Sequence, residues 1–147
     1  MNALAEQIAE HATAESPLWA ASLRPDPSFE PVFSPLAPAE LALALETIYE
    51  GYLLHYGDSR LFAPADRDTA LLLGDALYAQ GLVHLAALGA TEPVRAMAEL
   101  ISLCAQQRGD EVDGDGEAWA ATAERLGAGA GADARRLALE AHTRLLG

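Results

Sequence analysis

"LLGDALYAQGLVHLAALG", Leu72–Gly89, is the stretch whose reading decides the fold. It is apolar almost throughout, with two internal glycines, Gly74 and Gly81, and three polar residues, Asp75, Gln80 and His84. With its flanks it predicts a helix over about 68–88, begun by Asp66 or Asp68 as a side-chain cap and ended by Gly89 in a left-handed turn. Such a helix is about 31 Å long, enough to cross a bilayer. Against a span, Asp75 at the bilayer centre would cost about 2.5–3.5 kcal/mol. No cationic or tryptophan anchors flank the stretch either. A helix apolar nearly all round belongs instead at the centre of a bundle. At roughly 100° per residue, Gly74, Tyr78, Gly81 and Leu85 share one side. Each glycine costs about 1 kcal/mol against alanine, so that side is expected to receive another helix backbone, from this chain or from a partner.

Outward from this stretch the pattern stays helical. Residues 2–14 place Leu4, Ile8 and Ala12 on one face behind a capping Asn2. Residues 38–56 carry Leu41, Leu45, Ile48, Tyr52 and His55 at helical spacing, with Pro38 in the first turn. A helix over 92–107 follows, with Thr91 as its cap, then 116–126 after Asp113 or Asp115, then 134–146 after Asp133. Arg136, Glu140 and Arg144 can pair along the last one. No alternating strand pattern occurs, so the fold class is all-α, one helical domain over 1–147. Three breaks punctuate it: a strap over 24–38, an acidic loop over 108–116 and a Gly/Ala hinge over 127–133. The strap holds five prolines, which exclude regular helix, and Phe29, Val32 and Phe33 to pin it to a surface.

The chain has 22 acidic and 9 basic residues, a net charge of −13. Such a surface repels nucleic acid and anionic lipid. The lysine-free, alanine-rich usage is that of a GC-rich bacterial genome. The N-terminal "MNALAEQIAEH" has no cationic region, so no signal peptide is expected and the reading is cytoplasmic. The lone Cys104 excludes an internal disulfide and reads as a buried thiol.

Little catalytic chemistry is legible. "EVDGDG", Glu111–Gly116, starts like a calcium loop, but the position that should hold a bidentate carboxylate is Thr122. Histidines 11, 55, 84 and 142 fall one per helix, without paired spacing. "GAGAGAD" follows no strand and has no lysine, so it is not a phosphate loop.

"YLLHYGDSR", Tyr52–Arg60, followed by "DTALLLGDALYAQGLVHLAALG", Asp68–Gly89, resembles the central helices of trans-isoprenyl diphosphate synthases. The likeness runs from about Tyr49 to Gln106. The family holds magnesium and an allylic diphosphate with clustered aspartates, because a hard dication needs several carboxylate oxygens. Here "LLH" is followed by Tyr56-Gly57-Asp58, so one aspartate stands where the cluster would be. Arg60 and Arg67 are the only nearby bases, and no second aspartate-rich motif occurs. His55, Asp58 and Asp75 are the remaining candidate ligand residues. The resemblance therefore implies a pseudoenzyme, a short non-catalytic subunit of a heteromeric synthase. It implies no cofactor, no metal and a protein partner, either the catalytic subunit or a second copy. An apolar prenyl tunnel is the further expectation. The alternative is an unrelated helical accessory subunit of another complex.

Overall fold

The computed structural model describes residues 2–127 and 129–146, and these form an all-α bundle. Helix α1 (Ala3–Glu15) begins where the Asn2 side chain accepts the Ala5 amide at 2.9 Å. Ser16 ends it and at once caps α2 (Pro17–Ala21), a short helix with Pro17 in its first turn. The strap then crosses the bundle, with Val32 and Phe33 buried, into two 3₁₀ turns, Ser34–Leu36 and Ala39–Leu41. α3 (Ala42–Tyr56) and α4 (Arg67–Ala87) follow; Asp66 caps α4 by accepting the Thr69 amide at 2.7 Å. Gly89 leaves α4 at φ 81°, the left-handed region that glycine tolerates. α5 (Thr91–Gly109), α6 (Asp115–Leu126) and α7 (Ala132–Leu146) complete the order.

Three caps differ from the sequence expectation. Thr91 is the first residue of α5, and Ala90 before it makes no side-chain capping bond. α6 starts after Gly114 at φ 125°, with Asp115 already inside. Asp133 likewise sits inside the first turn of α7. In the last two, the carboxylate stabilises the positive end of the helix from within it. The acidic loop is shorter than expected, since Arg108 and Gly109 belong to α5. In the 127–133 hinge, Ala128 lies outside the described residues. An isolated antiparallel bridge pairs Leu23 with Phe62 and ties the end of α2 to the α3–α4 loop.

The helix at the centre is α3, not the 67–87 helix. Every residue of α3 from Ala44 to Leu54 is buried, Glu46 and Glu50 included. One side of α3 meets Phe33, Leu36, Met97, Leu100, Cys104 and Trp119. Leu54 faces a second cluster of Ile8, Trp19, Leu61, Phe62, Leu73 and Leu77. α4 makes its most extensive contact with α3 but buries one side only: Leu73, Gly74, Leu77, Gly81 and Leu85. Its opposite side leaves Leu72 at 58% and Val83 at 66% exposure. By length and composition α4 could cross a membrane, and 28% of its most apolar stretch is buried in the bundle.

Candidate functional site

The α3–α4 joint is set by glycine. A Cβ on Gly51 would lie 2.8 Å from the Gly74 carbonyl oxygen, and one on Gly81 2.3 Å from Ile48 Cγ1. Gly74, Tyr78, Gly81 and Leu85 thus lie along α3 of the same chain. Against Gly74 sits His55, its ring stacked on Tyr78 at 5.2 Å and its Nε2 3.0 Å from Asp75 Oδ1. Burial lifts the Tyr78 hydroxyl far above its ordinary value. The fold therefore brings together His55 and Asp75, which are twenty residues apart. Asp58 goes elsewhere: its amide donates to the Leu145 carbonyl at 2.8 Å, and it lines a recess of about 430 Å³ with Arg24, Asp66 and Arg67. Both arginines donate to backbone, Arg24 to Ser59 and Arg67 to the His55 carbonyl at the end of α3.

Beneath the strap lies an ionic cluster that the sequence reading missed. Glu46 and Glu50, one turn apart on α3, both face Arg60 from the α3–α4 loop. Arg60 donates to Glu46 Oε1 at 2.8 Å, to Glu50 Oε1 at 2.9 Å and to the Glu30 carbonyl at 2.8 Å. The other oxygen of Glu46 accepts the Val32 and Ser34 amides. That of Glu50 accepts the Ser59 hydroxyl and the Arg60 and Leu61 amides. The guanidinium also stacks over Phe29 at 4.1 Å. Burial alone would lower the Arg60 pKa, but Glu50 and Glu46 outweigh it and hold it above its usual value. Every carboxylate oxygen is bonded, so the cluster fastens the strap and the loop to α3. The signal was two glutamates at i,i+4 in the apolar run "LETIYEGYLL".

A second network joins α3, α5, α6 and α7. The Tyr49 hydroxyl is 2.7 Å from His142 Nδ1, and His142 Nε2 is 3.6 Å from Asp115 Oδ1, too long for a hydrogen bond. Arg108 donates to Asp115 at 2.7 Å and to the Tyr52 hydroxyl at 2.9 Å. Burial would raise the Asp115 carboxyl, but His142 and the Gly116 amide hold it below its ordinary value. Phe33, Tyr49 and Trp119 pack ring to ring around this network. A third pairing sets His11 of α1 beside His84 of α4, ring centroids 4.8 Å apart, with Gln80 donating to the His11 carbonyl.

Among the described residues, no three His, Cys, Asp or Glu side chains group so as to hold a metal ion. The charged groups buried under the strap answer one another and present no free carboxylate or base to a substrate. What the bundle offers outward is the far side of α4. Between Ala76 and Thr91 the sequence contains no Asp, Glu, Lys or Arg. Comparison with protein-family models, curated proteins and solved structures returns no match.

Proposed function

We propose that this chain is a non-catalytic helical subunit that works by protein contact through the outward side of α4. One observation carries the reading: an apolar helix face, with Leu72 and Val83 more than half exposed, on a chain of net charge −13. Isolated exposed apolar side chains are ordinary, but Leu72, Ala79, Val83 and Ala86 align along one side of α4, interrupted by Asp75, and such a row favours an interaction surface. The likeness to isoprenyl diphosphate synthases supports the same reading, because the aspartate cluster is reduced to Asp58. That residue's neighbours in its recess include two arginines already bonded to backbone. A prenyl tunnel forms no part of the proposal, since glycine contacts close α3 onto α4.

The test has two arms. Incubated with magnesium and allylic plus homoallylic diphosphates, the purified chain makes no extended prenyl diphosphate; product above a boiled control overturns the reading. A tagged chain isolated from its own host comes away in a stoichiometric complex, which Val83→Glu dissociates. If Val83→Glu stays folded and every complex persists, the α4 face is not the contact.

A further inference from the structure

Independently of that reading, we infer that the seam between α1 and α4 is a binding site for a late first-row divalent metal ion, zinc above all, built on the imidazoles of His11 and His84. Each helix presents two donors four residues apart, hence on one face: His11 and Glu15 on α1, Gln80 and His84 on α4. The two faces meet. Gln80 Nε2 donates to the His11 carbonyl at 3.2 Å and to the Glu15 carboxylate. The two histidine rings lie with centroids 4.8 Å apart, tilted by 44° rather than laid flat on each other. Two imidazoles bound tetrahedrally to one zinc, through zinc–nitrogen bonds of about 2.0–2.1 Å, have their ring centres about 5 Å apart. The observed spacing matches that of a shared ion.

A second observation points the same way. Among the described residues, two buried atoms of this seam have no hydrogen-bond partner, His84 Nε2 and Gln80 Oε1. Buried polar atoms in native proteins are nearly always paired, so both call for a bound water or ion. A proton on His84 is no remedy: burial and the neighbouring His11 lower its pKa, and the ring is neutral at pH 7. Neutral imidazole is the form that ligates metal, and one dication shared by two neutral rings brings no repulsion between them. Ligand chemistry then selects the ion. Imidazole suits zinc, copper and nickel, whereas calcium and magnesium need several oxygens. The two rings are the fixed part of the site. Glu15, already turned to the seam, supplies a carboxylate oxygen, and a water whose hydrogen Gln80 Oε1 can accept completes the tetrahedron. Such an ion ties α1 to α4 and binds the folded chain alone.

The experiment is a zinc titration of the EDTA-stripped, dialysed chain. Calorimetry gives one zinc per chain, and zinc at about 100 μM raises the Tm by several degrees, since an ion bound to the native state alone stabilises it by mass action. Magnesium at the same concentration does neither. His11→Gln and His84→Gln each weaken zinc binding by at least about tenfold, as the loss of one of two imidazole ligands requires. Glu15→Gln weakens it less. His55→Gln, at the histidine paired with Asp75 on the far end of α3, leaves it unchanged. In the ¹⁵N–¹H spectrum of the imidazoles, zinc moves the resonances of His11 and His84 and not those of His55 and His142. Circular dichroism checks that each variant is folded. Should His84→Gln unfold, His11→Gln, at an exposed position, decides together with the parent's imidazole spectrum. No zinc-dependent change at either ring, binding that survives His11→Gln or a folded His84→Gln, or an equal response to magnesium overturns the site.

Discussion

Gly51 of α3 and Gly74 of α4 face each other so closely that a single methyl on Gly51 would sit 2.8 Å from the Gly74 carbonyl oxygen. Backbone, not a flexible side chain, is the obstacle, so the helices must separate to admit it. Gly51→Ala is therefore expected to destabilise by about 1–3 kcal/mol, typical of overpacking. That outweighs a helix-propensity gain of about 1 kcal/mol. Gly81→Leu, aimed at Ile48 and the Ala44 carbonyl, should do at least as much harm. Arg136→Ala, in an exposed pair with Glu140, serves as the control and should stay within about 0.5 kcal/mol. Urea unfolding measures all three. A Gly51→Ala protein as stable as its parent would mean the two helices do not pack as closely as described.

Arg60 stands between two fully buried carboxylates, and removing it leaves both without their cation. Arg60→Met is expected to cost about 3–5 kcal/mol, the range for breaking a buried ion pair from one side. Replacing the whole cluster at once, Glu46→Gln and Glu50→Gln with Arg60→Met, should cost less than Arg60→Met alone, since no charge is then stranded. Denaturant midpoints for the single and triple variants decide it. Equal losses would mean that the hydrogen bonds to the strap amides, not the charges, dominate.

How much of this could be read from the sequence depends on where the partners lie along the chain. The Asn2, Asp66 and Gly89 helix ends were legible because a cap and its amide are three residues apart or fewer. α2 was missed although Ser16-Pro17 is an N-terminal signal, because five residues carry no periodicity. The central helix was misassigned for a physical reason: hydropathy counts Glu46 and Glu50 as surface. Their desolvation is offset by Arg60 and by amides of the strap, which no local pattern in α3 reveals. α4 looked more buried because its apolar residues encircle it, yet among the described residues none covers Leu72 or Val83, which stay more than half exposed. Tyr49 and His142 are 93 residues apart, and His11 and His84 are 73 apart. Such pairings exist only once the helices are stacked.

Cys104 is buried against α3 and α6, and burial pushes its thiol up to about 11, against a smaller opposing pull from Arg108. The thiolate is the reactive form. At neutral pH the folded chain should therefore react with a thiol reagent such as Ellman's far more slowly than the chain in denaturant. Labelling followed by absorbance checks this. Rapid native labelling would place Cys104 at the surface.

His84 supplies the pH dependence. Burial against α1 lowers its pKa below the ordinary histidine value, and the neighbouring His11 lowers it further. The folded state thus resists a proton that the unfolded chain accepts at about 6.5. A group with a depressed folded pKa contributes stability above the unfolded pKa and loses it as pH falls toward the folded one. The stability of the parent should therefore decline from pH 7.5 to 5.5, before the bulk of the carboxylates begin to titrate. His84→Gln keeps a polar side chain of similar reach but cannot take up the proton. Its stability should change less over the same interval, and the difference between the two curves isolates this one group from the other three histidines. The site of the loss is the α1–α4 joint, so at pH 5.5 amides of α1 should show lower protection, relative to their intrinsic exchange rates, in the parent than in His84→Gln. Parallel pH curves for the two proteins would show that His84 titrates as freely in the bundle as in the unfolded chain, and that α1 does not press His11 against it.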